Sequence, residues 1–212
     1  MLVFDWDGTL MDSAAAIADS LQAACRDLSL PIPPLEQARY VIGLGLDDAM
    51  AHILPGLDPA FYPGVRERYR VNFLKRDAGT ALFPGAAETI AALHGSGYLL
   101  AVATGKSRRG LDRALAASGL EPYFHATRCA DEGHTKPHPG MLLGLMEQLG
   151  VAGDRTLMVG DTTHDMEMAR AAGVPRLGVT YGAHARDSLL ACEPLACVDD
   201  FEGLRQWLTR NA

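Results

Sequence analysis

A short apolar run near the start of the chain leads into Phe4-Asp5-Trp6-Asp7-Gly8-Thr9-Leu10. The run predicts a buried strand, and residues two apart on a strand project to the same side. We therefore expect Asp5 and Asp7 to lie together at the carboxyl end of this strand, where open α/β sheets bind ligands. Two adjacent carboxylates repel each other, so the pair favours a bound cation or a shared proton. The alternative is a strand that merely ends in an acidic turn.

Apolar runs alternate with helical patterns along most of the chain. The predicted strands span residues 2–5, 98–104, 124–129, 156–160, 177–180 and, more weakly, 196–198. The predicted helices lie near residues 85–94, 107–118, 139–149, 164–172 and 201–208. This alternation predicts an α/β fold with a doubly wound parallel sheet, a Rossmann-like core.

About ninety residues separate the first two predicted strands, far more than a crossover connection needs. Ile17, Leu21 and Leu28 fall on one helical face, with Ser13 as an N-cap, and shorter helices follow at 35–41, 46–54 and 59–77. We predict that residues 14–79 form an α-helical cap inserted into a catalytic core made of residues 1–13 and 80–212. The crossings near 11–13 and 78–81 would form a hinge.

A second acidic cluster, Gly160-Asp161-Thr162-Thr163-His164-Asp165, follows the predicted strand 156–160. Asp161 stands at the strand tip, and Asp165 lies one helical turn further on, facing back to it. Thr162 and Asp165 also fit a helix capping box, but that interpretation leaves Asp161 unexplained. Carboxylates without His or Cys partners favour Mg²⁺ over zinc.

Two further strand ends carry groups suited to an anion. Thr104-Gly105-Lys106-Ser107 combines a hydroxyl with backbone N–H groups at the start of a helix, although a simple Ser107 N-cap explains it equally well. Lys136 precedes another helix, in a loop that Pro137 and Pro139 stiffen. A lone lysine is usually a solvated surface charge, so only its neighbours favour a role in the site.

In this order, the motifs resemble those of the haloacid dehalogenase-like hydrolase superfamily. They are Asp5-x-Asp7-Gly8-Thr9, Thr104, Lys136 and Gly160-Asp161-x-x-x-Asp165. The inserted helices match the family's cap. The segments Phe4–Leu10, Ile42-Gly43-Leu44 and Lys136-Pro137-His138-Pro139 are most similar to the phosphoglycolate phosphatase branch.

The resemblance implies that Asp5 is a nucleophile that forms an aspartyl-phosphate. Asp7 would protonate the leaving oxygen and then accept a proton from water. Thr104 would hydrogen-bond a phosphoryl oxygen, and Lys136 would neutralise charge on Asp5 and on the phosphoryl group. The presence of Asp7 argues against a dehalogenase.

The resemblance also implies a Mg²⁺ cofactor. Asp5 and Asp161 would bind it directly, Asp7 would contribute its backbone carbonyl, and Asp165 would act through water or support another ligand. Without Mg²⁺ and a lysine, the four carboxylates would repel a phosphate dianion.

Substrate choice is expected to depend on the cap, with Arg39, Tyr40 and the loop around Gly43 as candidate substrate-binding residues beside Gly105 and Lys136. Arg39 equally fits a solvated helix residue. The alternating cations Arg66, Arg68 and Arg70 suggest a solvated face, whereas Lys106, Arg108 and Arg109 lie beside the expected phosphate site.

The composition narrows the partners and the compartment. The 212 residues include 26 acidic and 19 basic ones, and a net charge of −7 argues against general nucleic-acid binding. The apolar runs are far shorter than the ~20 residues of a membrane span, and the N-terminal residues do not resemble a signal peptide. Cys25, Cys129, Cys192 and Cys197 are scattered without a CxxC, which favours reduced thiols. We expect a cytoplasmic monomer or weak homodimer acting on a small phosphorylated metabolite.

Two other functions stay open from the sequence. A phosphomutase on the same scaffold would use the same motifs, and a non-catalytic phosphoacceptor or phosphate-binding regulatory module would also present acidic strand tips and a lysine. A P-loop is excluded, because the first glycine of that motif would have to stand where Leu100 does.

Overall fold

A six-stranded, fully parallel sheet forms the centre of the molecule in the computed structural model, which describes residues 1–77 and 79–211. The strand order is β3-β2-β1-β4-β5-β6, so the order reverses beside β1. This arrangement confirms the predicted doubly wound α/β core. The strands are β1 (Leu2–Phe4), β2 (Leu100–Thr104), β3 (Ala126–Cys129), β4 (Leu157–Gly160), β5 (Arg176–Val179) and β6 (Ala196–Val198).

Helices cover both faces of the sheet, which explains why its strands appear as continuous apolar runs. Leu2 and Phe4 belong to one buried cluster, and the intervening Val3 belongs to the cluster on the opposite face. The covering helices are α5 (Ala86–Gly95), α6 (Arg108–Ser118), α7 (Gly140–Leu149), α8 (Thr163–Ala171), α9 (Arg186–Leu190) and α10 (Phe201–Asn211). Among the described residues, no helix has the combined length and apolarity that crossing a bilayer requires.

Three elements differ from the prediction. Strand β2 begins at Leu100 rather than at residue 98, because the Tyr98 N–H closes the turn that ends α5 by donating to the Leu93 carbonyl. Strand β3 likewise begins after a 3₁₀ turn that includes Tyr123. Helix α9 was not predicted, because it is only five residues long and Leu189 is its single buried side chain.

The first four α-helices after β1 precede α5 and form what we call the insert, residues 14–77. They are α1 (Ala14–Asp27), α2 (Leu35–Tyr40), α3 (Leu46–Ile53) and α4 (Tyr62–Asp77). Their apolar side chains form a separate buried cluster, to which the rest of the chain contributes Ala183. The chain leaves and re-enters the core side by side, since the Asp12 N–H donates to the Ala81 carbonyl at 2.9 Å. Of the predicted crossing at 78–81, Ala78 lies outside the described residues.

Joining Asp12 to Ala81 through a short Gly/Ser linker is expected to leave a folded core, because both buried clusters on the sheet consist of residues outside the insert. Circular dichroism and thermal unfolding of this deletion variant test the predicted division into core and cap. A cooperative transition is expected. A variant without one would show that the insert and the sheet fold as a single unit.

Candidate active site

The predicted acidic residues meet at the carboxyl ends of the central strands. Asp5 follows β1 and Asp161 follows β4, and these two strands are neighbours in the sheet. The Asp5 N–H continues their ladder by donating to the Val159 carbonyl at 2.9 Å. Thr104 ends β2 on the other side of β1. The three side chains are fully buried, so the site lies within the protein rather than on its surface.

Lys136 lies at the centre of this site. Its ammonium is 2.8 Å from Asp5 Oδ1 and 2.6 Å from Asp165 Oδ1, and all three side chains are buried. Its peptide bond to Pro137 is cis. The lysine is therefore not the solvated charge that its local sequence would equally allow.

The charges of the buried groups do not cancel. Three carboxylates (Asp5, Asp161 and Asp165) face one ammonium, which leaves two negative charges when all are ionised. Burial raises the pKa of Asp5 well above its ordinary value; Lys136 opposes this shift, and Asp165 and Asp161 add to it. Burial and the nearby Asp165 raise the pKa of Asp161 to about 7. Burial alone would lower the pKa of Lys136, but Asp165 and Asp5 outweigh it, so that pKa lies above its ordinary value.

The three carboxylates fit a divalent cation. One oxygen from each of them lies within 4.8 Å of the others. Among the described residues, Asp5 Oδ2 has no hydrogen-bond partner although it is buried. A buried carboxylate oxygen without a partner is costly unless a cation or a proton satisfies it. An all-oxygen donor set of this kind suits Mg²⁺.

Asp161 is held on all sides by the loops that follow β1 and β5. The Thr9 hydroxyl donates to its Oδ1 at 2.9 Å, and the Ala183 N–H donates to its Oδ2 at 2.7 Å. A Cβ on Gly8 or on Gly182 would come within 2.1 and 2.2 Å of Oδ2, so only glycine fits at either position. This packing fixes the carboxylate in one orientation.

Asp165 forms the predicted capping box and also contacts Lys136. Its Oδ2 accepts hydrogen bonds from the N–H and the hydroxyl of Thr162, which completes a capping box at the start of α8. Its Oδ1 pairs with Lys136. The helix start therefore orients the carboxylate that holds the lysine.

Asp7 lies at the edge of the buried site, where a cavity begins. Its Oδ1 accepts a hydrogen bond from Ser13 at 2.5 Å and pairs with the Lys106 ammonium at 2.9 Å. Lys106 in turn lies 4.8 Å above the ring of Phe73 in the insert. Ser13 was predicted as the N-cap of α1; it stands at that position, but its side chain makes no capping hydrogen bond because it contacts Asp7 instead.

The candidate substrate-binding residues of the insert contact the core. Arg39 is half-buried and donates to the carbonyls of Gly182 at 2.9 Å and Ala183 at 3.3 Å, so it is bound to the core, and it does not line the cavity. The Tyr40 carbonyl accepts hydrogen bonds from His164 Nε2 at 2.7 Å and His184 Nε2 at 2.9 Å. Burial lowers the pKa of His164 to about 4, so the ring is neutral at neutral pH.

The loop after α2 lies close to the strand ends. A Cβ on Gly43, whose φ is +93°, would meet the Thr162 side chain at 3.2 Å. A Cβ on Gly105 would meet the carbonyls of Gly43 and Leu44 at 2.6 Å. Gly43 and Gly105, both predicted to bind substrate, thus allow a close contact between the insert and the core, and both also line the cavity.

The basic residues near the site have separate roles. Arg108, one of the cations predicted to lie beside the phosphate site, forms two hydrogen bonds of 2.9 Å with Glu132 and does not line the cavity. Arg66, Arg68 and Arg70 are exposed, as the predicted solvated face requires, and Arg66 and Arg70 also lie at the cavity, as do Lys106 and Arg109. The charge pattern of the sequence did not separate the basic residues that line the cavity from those that do not, because it does not show which helix face meets the core.

In metal-free protein, Asp161→Asn is expected to gain stability relative to the parent as the pH rises from about 4 to about 7. In this window the folded parent keeps Asp161 protonated, whereas the unfolded chain has already released that proton. The parent therefore loses stability as the pH rises, until the contribution of the protonated Asp161 is lost as the pH passes through about 7. The difference in unfolding free energy should grow by roughly 1 kcal/mol per pH unit. Asn offers the same shape, and the Thr9 hydroxyl can turn to accept its N–H.

Denaturant unfolding of both proteins in chelator at several pH values measures this difference. The histidines, whose lowered pKa values act in the opposite direction, are present in both proteins and cancel. A difference that stays flat or shrinks with pH would mean that Asp161 is already ionised in the folded protein.

Comparison with known proteins agrees with this geometry. The family model described as haloacid dehalogenase-like hydrolase matches residues 2–179. The probable phosphatase IndB of Dickeya dadantii is 42% identical over 207 residues, which cover 95% of this chain and 90% of that protein. The phosphoglycolate phosphatase of Salmonella typhimurium is 31% identical over 226 residues, covering 96% of this chain and 90% of that protein.

Solved structures have the same fold. A predicted phosphoglycolate phosphatase from Haemophilus somnus superposes with a TM-score of 0.87 at 26% identity, covering 98% of this chain and 97% of that one. A hydrolase from Pseudomonas syringae gives a TM-score of 0.92 at 21% identity, covering 100% and 98%, and supports the fold alone. With a family model that spans most of its length and a relative that shares 42% of its residues, this chain belongs to the haloacid dehalogenase-like hydrolase family.

Proposed function

We propose that this protein is a Mg²⁺-dependent phosphatase that hydrolyses a small phosphomonoester through an aspartyl-phosphate on Asp5. The observation that carries the proposal is the Asp5 carboxylate, which is buried beside Lys136 and keeps Oδ2 without a partner among the described residues. Relatives named as phosphatases support the reaction class. Phosphoglycolate is the first substrate to test, because several relatives are named for it.

Asp5, Asp161 and Asp165, together with the backbone carbonyl of Asp7, would hold the metal. Bound Mg²⁺ supplies positive charge that lets a phosphate dianion approach the carboxylates and polarises the phosphoryl group. Lys136 contributes a further positive charge beside Asp5, and the Thr104 hydroxyl offers a hydrogen bond to a phosphoryl oxygen.

In the first step, a carboxylate oxygen of Asp5 attacks phosphorus, and the bond between phosphorus and the alcohol oxygen breaks. Asp7 gives its proton to that oxygen, so the alcohol leaves neutral. Ser13 and Lys106 both contact Asp7 Oδ1, which leaves Oδ2 to carry the proton. These contacts hold the carboxyl group at the junction between the buried site and the cavity.

In the second step, Asp7 accepts a proton from water, and the water oxygen attacks the phosphorus of the aspartyl-phosphate. The bond to Asp5 breaks, inorganic phosphate leaves, and the Asp5 carboxylate is restored. Lys136 stabilises the carboxylate that reappears, because its ammonium already lies 2.8 Å from Oδ1. Asp7 thus acts first as acid and then as base, which a metal ligand alone would not need to do.

Phosphate release from an aryl phosphate tests the proposal. Release is expected with Mg²⁺, and chelation or Asp5→Asn should abolish it. Ca²⁺ should restore it poorly, because Ca²⁺ prefers a larger and looser oxygen shell. Full activity in chelator, or in Asp5→Asn, would contradict the proposal.

Asp161→Asn is expected to raise the Mg²⁺ concentration for half-maximal activity more than Asp165→Asn does. Asp161 is fixed at a strand tip by two neutral donors, the Thr9 hydroxyl and the Ala183 N–H, whereas Asp165 already pairs with the Lys136 ammonium, which would compete with the metal for that carboxylate. Activity measured over a Mg²⁺ titration gives both values, with the exposed Asp154→Asn as matched control. Equal shifts, or the reverse order, would show that the ligands are misassigned.

A further inference from the structure

A cavity of about 680 Å³ lies between the insert and the core. Asp7 and Lys106 line its floor, whereas Asp5, Thr104 and Lys136 lie outside its lining. In the proposed reaction, Asp7 protonates the leaving oxygen. The phosphoryl group therefore lies on the buried side, and the alcohol part of the substrate extends past Asp7 into the cavity.

Hydrogen bonds already join the insert to the core beside this cavity. Arg39 is bound to the carbonyls of Gly182 and Ala183, and the Tyr40 carbonyl is held by two histidines. The backbones at Gly43 and Gly105 are too close for a Cβ between them. The insert and the core are therefore already in contact here, and the cavity is present in addition to these contacts. Pockets of roughly 300–1,000 Å³ enclose drug-sized ligands, and the two carbons of glycolate would fill little of this one.

The insert supplies most of the apolar residues that line the cavity. Tyr69 and Phe73 stack with their ring centroids 5.7 Å apart, and Phe73 also lies beneath Lys106. A polar two-carbon acid would cover little of this apolar surface, whereas a ring would cover more of it. Apolar and aromatic lining residues of the insert include Leu44, Leu46, Pro63, Tyr69 and Phe73.

The charges that line the cavity give no clear preference for a second anionic group. Arg66 pairs with Asp47 at 2.6 Å, and Lys106 pairs with Asp7, so part of the positive charge is neutralised within the protein. Basic and acidic side chains are equal in number over the whole lining. Its acidic members are Asp7, Asp47, Asp48, Glu67 and Asp131, and its basic members are Arg66, Arg70, Lys106, Arg109 and Arg113.

We infer that the preferred substrate is a phosphomonoester whose alcohol part carries a ring-sized apolar body that packs against the insert. The inference rests on the proposed phosphatase activity and narrows its substrate class, away from the two-carbon acid of phosphoglycolate. The buried carboxylates and Lys136 select the phosphoryl group, and the apolar lining of the cavity selects the alcohol.

A substrate series tests this preference in the full-length protein with Mg²⁺. Ethyl phosphate, phosphoglycolate, benzyl phosphate and cyclohexylmethyl phosphate all release a primary alcohol, so differences in leaving-group chemistry are small. We expect kcat/KM for the two ring substrates to exceed the values for ethyl phosphate and phosphoglycolate by at least about tenfold, since a single extra methylene in an apolar pocket is worth roughly 10- to 200-fold.

A pair of tryptophan variants localises the effect. Leu44→Trp places extra volume in the cavity, so the ratio of kcat/KM for benzyl over ethyl phosphate should fall by about tenfold. Leu74→Trp is the matched control, because Leu74 is an exposed residue of α4 outside the cavity lining, and it should keep the parent ratio.

The outcomes separate the two claims. If ethyl phosphate or phosphoglycolate is hydrolysed as well as benzyl phosphate, or if both tryptophan variants give the same ratio, the substrate inference is wrong while the phosphatase activity stands. If no member of the series, and no aryl phosphate, releases phosphate in a manner that depends on Mg²⁺ and Asp5, the proposed function itself is wrong, and the inference with it.

Discussion

The ammonium of Lys136 lies between Asp5 and Asp165, with all three side chains buried. Removing one partner of a buried ion pair typically costs roughly 3–5 kcal/mol, because the remaining charge has no solvent to stabilise it. One lysine cannot balance the third carboxylate, Asp161, that shares the site. The folded protein must therefore hold protons there or bind a cation. Structural stability and the proposed chemistry depend on the same excess of negative charge.

The fold maintains this unfavourable arrangement by anchoring each carboxylate separately. Asp5 continues the central strand ladder, Asp161 is enclosed by Gly8 and Gly182, and Asp165 is fixed by the capping box of α8. The groups cannot move apart to reduce their repulsion, which keeps them arranged for a metal and a phosphoryl group. The insert contributes no member to this buried set. Its side chains instead shape the space beyond Asp7, so the proposed chemistry and the choice of substrate are assigned to different parts of the chain.

The sequence allowed the core and its strand-tip residues to be predicted, because both depend on local patterns. Asp5 and Asp161 follow apolar runs, and parallel strands bring their carboxyl ends to one edge of the sheet. The contacts between the insert and the core could not be predicted from local patterns, because they join residues far apart in the sequence. Arg39 was expected at the substrate or in solvent but binds core carbonyls more than 140 residues away along the chain. The roles of Ser13 and Lys106 as partners of Asp7 were missed for the same reason, since an N-cap serine and a surface lysine have the same local signature.

The measurement that tests the central claim most directly is the location of the phosphoryl group in an Asp7→Asn variant treated with acetyl phosphate and Mg²⁺. Acetyl phosphate needs little acid assistance to leave, so the variant can still be phosphorylated, but without its base it should release the group slowly. Mild quenching followed by peptide mass analysis is predicted to find the phosphoryl group on Asp5. Turnover of an ordinary alkyl phosphate by this variant should fall by about 10²–10⁴-fold. An unmodified Asp5 in a variant that still hydrolyses acetyl phosphate would show that water attacks phosphorus directly, and would contradict covalent catalysis by Asp5.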